Sequence, residues 1–272
     1  MMRSLWTGAS GMIAQQTNVD TIANNLSNVN TSGYKSEKTE FKSLLYQTLQ
    51  TKTTSANGEE KPISAQVGLG TRVASNTSIF TQGSLIANES KSAFAIEGNG
   101  LFSVRGADGE TYYTRNGNFS WVKDGNVVSL CTQEGYHVLD SNGNVISLPA
   151  NVSSESVEFQ SNSGEIGYKD GAGNYHALNR RIGIYQFRNP AGLEKESNSL
   201  LSVTEASGDA MSEYTNNNLT RSKIVQGYLE GSNVQLADEM LNLIVAQRAY
   251  EMNSKVITTS DDMLGIANQL KR

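Results

Sequence analysis

The sequence predicts an α+β chain: long N- and C-terminal helices paired as a coiled-coil assembly domain, extended intermediate segments, and a central antiparallel β domain of Greek-key or barrel-like type. Three observations predict it. Apolar residues recur at heptad spacing at both ends, turn dipeptides punctuate short β-rich runs through the middle, and only 3 of 272 residues are Pro, so little interrupts a long helix. The expected division is 1–32 with 231–272 for the helical part, 33–78 with 207–230 for the intermediate part, and 79–206 for the β domain.

At the N-terminus, Leu5, Met12, Val19 and Leu26 stand seven apart, and Gly8, Gln15, Ile22 and Val29 repeat the step three places later. This is the 3–4 spacing of a coiled-coil seam. Before Thr31 the only charged residues are Arg3 and Asp20; the flanks are Asn, Thr, Ser, Gln and Ala. A solvated helix carries more charge, so the polar face is expected to pack on protein. The span gives a helix of about 28 residues, roughly 40 Å.

At the C-terminus Leu236, Leu243, Tyr250, Ile257 and Leu264 recur every seven residues; Met240 and Ile244 widen the stripe early, and Val256, Met263 and Leu270 late. Gly231 marks the start and Ser232 or Asn233 is the expected N-cap. Asp238 and Glu239 near the start and Lys271-Arg272 at the end suit the helix macrodipole. This helix would run about 37 residues, roughly 55 Å. Periodicity alone leaves two readings open: a helix pair under a globular domain, or helices that assemble with other chains. The unequal lengths leave apolar surface uncovered, which points to other subunits.

Between these ends Asp108-Gly109, Asn116-Gly117, Asp124-Gly125, Asn142-Gly143 and Asp170-Gly171 separate short β-rich runs such as Leu101–Gly106 and Tyr136–Asp140. Asn-Gly and Asp-Gly tolerate positive φ and so mark hairpins. Thr51–Ser64 and Ser207–Arg221 are polar and read as extended connections.

Composition excludes much chemistry. The single Cys131 rules out a disulfide scaffold or thiolate cluster, and His137 and His176 leave little for a metal site or a His-based triad. A formal charge of −5 argues against general nucleic-acid binding. Mean hydropathy is −0.42 and no long apolar run is present, so no membrane insertion is expected. The stretch Ser4–Gln16 is too polar for a secretory h-region. No catalytic residue, metal ligand or cofactor-binding residue is expected, and the chain reads as no enzyme. The 27 Asn among 272 residues suit a weakly charged surface in contact with protein.

Two segments say more. Ala23-Asn24-Asn25-Leu26, then Asn28-Val29-Asn30-Thr31-x-Gly33-Tyr34-Lys35, resembles the N-terminal signature of the bacterial flagellar rod and hook (axial) family. Ser232-Asn233-Val234 with Gln247-Arg248-Ala249-Tyr250-Glu251 resembles its C-terminal signature. The start Met-x-Arg-Ser-Leu-Trp, the stretch Phe41–Gln47 and Gly68-x-Gly70 look most like the distal-rod branch of that family, with a proximal rod or hook-type subunit as the alternative.

The resemblance implies a structural subunit of the flagellar basal-body distal rod. Copies would polymerise into a rigid hollow helical shaft that transmits motor torque to the hook and encloses the export channel. Assembly interfaces would use Leu5, Met12, Val19, Ile22, Leu26 and Val29 on the first helix, and Leu236, Leu243, Tyr250, Ile257 and Leu264 on the last. Phe41 and Leu45 resemble a short apolar export signal. The implied partners are other copies, neighbouring rod and hook subunits and the flagellar type III export gate, with rod-cap and ring proteins as further candidates. The implied location is the basal body outside the cytoplasmic membrane, reached without a cleaved signal peptide.

Overall fold

The computed structural model describes residues 2–50, 65–125, 127–149, 152, 156–160, 164–169, 174–216 and 218–270. The connection expected at Thr51–Ser64, the turn at Asp170-Gly171 and the basic end Lys271-Arg272 lie outside them. The chain divides into two compact units: Met1–Ser27, Glu37–Ser78 and Gln235–Arg272 in the first, Asn28–Ser36 and Ile79–Val234 in the second.

In the first unit, helix α1 (Met2–Ser27) packs against helix α2 (Leu236–Gln269) and against a β ribbon. α1 stops where Asn28, Asn30 and Gly33 supply turn-forming residues, with the Thr31 N–H donating to the Asn28 carbonyl at 3.2 Å. α2 starts after Gln235, which makes no side-chain cap bond, and Asp238 and Glu239 occupy its first turn. Strand Glu37–Ser43 pairs antiparallel with Thr71–Ser78, Glu37 opposite Ser78 and Ser43 opposite Thr71, with a bulge at Glu40/Phe41. Strand Tyr46–Gln50 pairs with Ala65–Gly68.

The predicted fold class therefore needs correction on two points. First, one N-terminal and one C-terminal helix flank a large antiparallel β domain, but they do not form a long coiled-coil pair. Ser4 meets Ser260 through their hydroxyls at 3.1 Å, and Asn25 reaches Glu239 at 3.3 Å, so the helices run antiparallel. A Cβ at Gly8 would stand 3.0 Å from Ile257 Cγ1, and one at Gly11 2.8 Å from Asn253 Nδ2. Small residues and polar pairs thus make the contact, where a heptad seam would use large apolar knobs in holes. The seam residues Leu236 and Tyr250 remain 51% and 41% exposed. Second, the intermediate segments are not an extended region. They satisfy their backbone groups by strand pairing, as buried or half-buried polar backbone must: Glu37–Ser43 in the ribbon, Lys223–Gln226 on Phe94–Glu97, and Tyr228–Glu230 on Leu85–Ala87.

In the second unit a ten-stranded antiparallel sheet runs in the order 147–149, 127–132, 137–138, 101–105, 111–114, 200–202, 194–195. Strand 184–186 pairs with 101–105 and 211–212, and strand 119–124 with 127–132. A three-stranded sheet joins 157–160, 165–169 and 175–181. Phe94, Phe102, Leu130, Ile146, Ile182 and Ile184 are fully buried in one apolar core, each contributing roughly 1.5–3 kcal/mol of burial. The Phe102 and Phe119 rings meet edge to face at 5.1 Å.

The turn dipeptides divide by role. Gly109, Gly125 and Gly143 adopt φ of +85°, +59° and +81°. Asn116-Gly117 is not a hairpin: strand 111–114 pairs with 101–105 and 200–202, while 119–124 pairs with 127–132. It is a crossing at which Gly117 packs against the Phe94 carbonyl, leaving no room for a side chain.

Candidate functional site

The residues of interest fall into one set in each unit. In the first unit, Asn25 is 1% exposed and acts as a peptide mimic. Its Nδ2 donates to the Glu37 carbonyl at 2.8 Å and its Oδ1 accepts the Glu37 N–H at 2.9 Å, pinning the first ribbon strand to the end of α1. Further along, the Thr39 hydroxyl lies within hydrogen-bond reach of Thr21 Oγ1 at 2.9 Å and Asn76 Oδ1 at 3.0 Å, and Asn76 Nδ2 donates to Thr21 at 3.1 Å. Part of the weakly charged face of α1 is thus covered by the chain's own ribbon.

Of the positions expected at assembly interfaces, Ile22 is buried, Leu5, Met12, Val19 and Leu26 are half-buried, and Val29 lies past the helix end in the second unit. On α2, Leu243, Ile257 and Leu264 are half-buried, Ile257 against Gly8. A further exposed apolar stripe runs along α2: Leu241, Val245, Met252, Val256, Met263 and Ile266 are 61%, 61%, 65%, 45%, 54% and 59% exposed. Leu241, Met252 and Met263 are eleven apart, as are Val245 and Val256. Eleven residues make about three turns at 3.67 per turn, so this stripe holds one side of the helix. A heptad template does not detect that spacing, and Leu241, Val245, Met252 and Ile266 were therefore missed. Phe41 is 43% and Leu45 83% exposed on the ribbon. Among the signature residues, Ala23 and Asn24 are exposed on α1, and Gln247 is exposed on α2; Arg248 pairs with Glu251 at the surface, at 2.7 Å.

Glu239, facing Asn25, carries a pH dependence. Burial raises its pKa above the ordinary 4.5; the Asn25 hydrogen bond opposes this and the Asp238 charge adds to it. The folded state then holds the proton more tightly than the unfolded one, so this group's stabilisation is full below the ordinary value and is lost as pH rises through the folded value. Urea unfolding followed by helical circular dichroism should show stability falling as pH rises above 4.5, and Glu239→Gln should flatten that slope.

In the second unit, the N-terminal signature residues Gly33 and Lys35 meet Glu230 and Arg115 at a buried ionic node. Glu230, 1% exposed, accepts Lys35 Nζ at 2.7 Å, Arg115 Nε, and the Gly83 N–H at 2.8 Å. Lys35 also donates to the Thr81 carbonyl at 2.7 Å, and Arg115 to the carbonyls of Gly98 at 2.7 Å, Ile96 at 3.0 Å and Gly100. The Gly33 N–H donates to the Glu230 carbonyl at 2.8 Å. Gly33 sits at φ +71°, and a Cβ there would stand 2.6 Å from the Asn116 nitrogen, so this signature glycine has no substitute. Tyr34 stacks beneath Lys195, 5.3 Å from its Nζ. Sequence reasoning reached Lys35 and Gly33 but not Glu230 or Arg115, whose significance lies in partners 195 and 115 residues apart in the chain.

Cys131 is buried opposite His137, Sγ to Nδ1 at 3.2 Å, and His176 stacks on Tyr168 at 5.4 Å. No cluster of metal-ligating side chains is found among the described residues.

Comparison with known proteins gives a consistent answer along the chain. Residues 5–35 match the family model described as flagella basal body rod protein, residues 95–168 that of the flagellar hook protein FlgE/F/G D1 domain, and residues 225–270 that of the flagellar basal body rod FlgEFG protein C-terminal. The chain is 44% identical to the flagellar basal-body rod protein FlgG of Borreliella burgdorferi, covering 100% of both chains. It is 41% identical to that of Agrobacterium fabrum over 98% of this chain and 99% of the relative, and 36% identical to that of Bacillus subtilis over 100% of both.

Proposed function

Since the chain belongs to the flagellar basal-body rod protein family, we propose that it is a structural subunit of the distal rod, polymerising into a rigid hollow shaft that transmits motor torque to the hook and encloses the export channel. The observation that carries this reading is the exposed apolar stripe on α2, Leu241, Val245, Met252, Val256, Met263 and Ile266, which a monomer leaves in water. A contact between unlike faces of identical subunits builds a helical polymer when its rotation does not close into a ring. Leu236 and Tyr250, exposed on the same helix, join the proposed interface. Leu5, Met12, Val19, Ile22 and Leu26 with Leu243, Ile257 and Leu264 are assigned to the helical part of the assembly.

The proposal extends to partners and place. The subunit contacts other copies and adjoining rod and hook subunits, has no enzymatic activity, and works in the basal body outside the cytoplasmic membrane. Phe41 and Leu45, exposed on the ribbon, are assigned to recognition by the export gate. The domain division proposed is a helical part, an intermediate strand-paired part and an outer β domain.

Electron cryotomography of basal bodies in a strain lacking the gene tests the reading. The rod should stop short of the hook. A complete rod without a hook would favour a hook-type subunit, a rod halted at its base a proximal one, and intact flagella would refute the proposal. A chain lacking residues 1–30 should fail to restore the rod.

A further inference from the structure

The chain passes between its two units after Ser27, Ser36, Ser78 and Val234. The backbones at the last three of these passages are gathered on the second unit by one side chain. Asn233 Oδ1 accepts the Ser36 N–H at 2.7 Å, and its Nδ2 donates to the Ile79 carbonyl at 2.8 Å and to Thr81 Oγ1 at 2.9 Å. The Ile79 N–H closes the set by donating to the Ser36 carbonyl at 2.8 Å. Ser36 is 9% exposed, so its N–H has little access to water as a substitute partner. Immediately behind lies the Glu230 node, which ties the same three segments again through Lys35, Thr81 and Gly83.

We propose that Asn233 is a clamp that binds together, on the second unit, the backbones at three of the four points where the chain leaves or enters it, and that it is a positioning residue for torque transmission through the subunit. The chemistry requires an amide. A carboxamide offers an acceptor and a donor on one planar group, which matches one backbone N–H and one backbone carbonyl on different strands. An aspartate retains the acceptor and sets a negative oxygen against the Ile79 carbonyl; a serine is too short to span both. The role in torque rests on the function proposed above; the clamp itself does not.

Amide hydrogen exchange on the full-length monomer reads the clamp directly. Asn233→Ala should speed exchange at Ser36, whose N–H loses its acceptor, by about tenfold or more, the loss of roughly one hydrogen bond to a buried donor, while core amides such as Phe102 and Leu130 change little. Asn233→Asp, which keeps the acceptor, should leave Ser36 protected. In the cell, both variants should be exported and should cut swimming speed more steeply than wild type as viscosity, and so torque, is raised. Unchanged exchange at Ser36 in Asn233→Ala overturns the clamp. Altered exchange with a wild-type response to viscosity overturns its part in torque. A null strain that swims normally would overturn the rod function itself and leave the exchange result standing.

Discussion

Replacing Glu230 with Ala is expected to destabilise the second unit by about 3–5 kcal/mol, the cost of leaving buried cations without their anion. Lys35 and Arg115 side chains are each 5% exposed and both converge on this carboxylate. Chemical denaturation followed by the near-ultraviolet signal of the β domain measures the loss. A change below about 1 kcal/mol would mean that the backbone carbonyls around Arg115 suffice. The node also has a pH signature. Burial holds the Lys35 pKa below the ordinary 10.5; the Glu230 hydrogen bond and charge oppose this, and the Arg115 charge adds to it. Between the lowered value and 10.5 the unfolded chain binds more protons, so stability rises with pH in that window. Glu230→Gln keeps the shape and removes the opposing charge, so its rise should begin at lower pH than in the wild type.

The second large effect is on assembly. Val245→Asp with Val256→Asp puts two carboxylates on the exposed stripe of α2, at positions 61% and 45% exposed. Each should change monomer stability by no more than about 0.5 kcal/mol, as exposed substitutions do. In a polymer contact, burying each unpaired carboxylate costs several kcal/mol, on the order of 2–7 even for an uncharged polar group. The double variant should therefore be exported, fold and fail to build rods, seen as loss of motility with an unaltered β-domain melting transition. Normal rods would remove this stripe from the interface. Ile257→Asp provides the contrast, because Ile257 packs on Gly8 of its own chain and its replacement should loosen the two helices in the monomer.

The comparison of these two positions shows where sequence pattern stops being informative. Heptad spacing identified Leu243, Ile257 and Leu264, and these face partly inward. It passed over Leu241, Val245 and Met252, because a helix of 34 residues carries more than one apolar stripe and periodicity does not say which is covered. The small residues Ser4 and Gly11 gave no apolar signal at all, and Gly8 was legible only as a seam position, although they set how closely α2 approaches α1. The node was half legible: Gly33 and Lys35 stood in a recognisable signature, whereas Glu230 and Arg115 are unremarkable in sequence and acquire meaning only when burial removes the water that would otherwise solvate them. Thr39 and Asn76 were likewise unreadable, since a polar residue on a strand is usually solvated and here meets Thr21 from α1.

By itself the sequence determined the two terminal helices, the β-rich middle, the turns at Gly109, Gly125 and Gly143, and, through signatures at both ends, the family. These are local properties: scarce Pro, periodic apolar residues and glycines at positive φ act over a few neighbouring residues. The tertiary structure alone decided that the helices meet through small and polar residues, that the intermediate segments become paired strands, and that Asn233 and Glu230 gather segments distant in the chain. Those outcomes depend on which backbone groups lose water and must find a partner, and that is settled only when segments far apart in sequence come together.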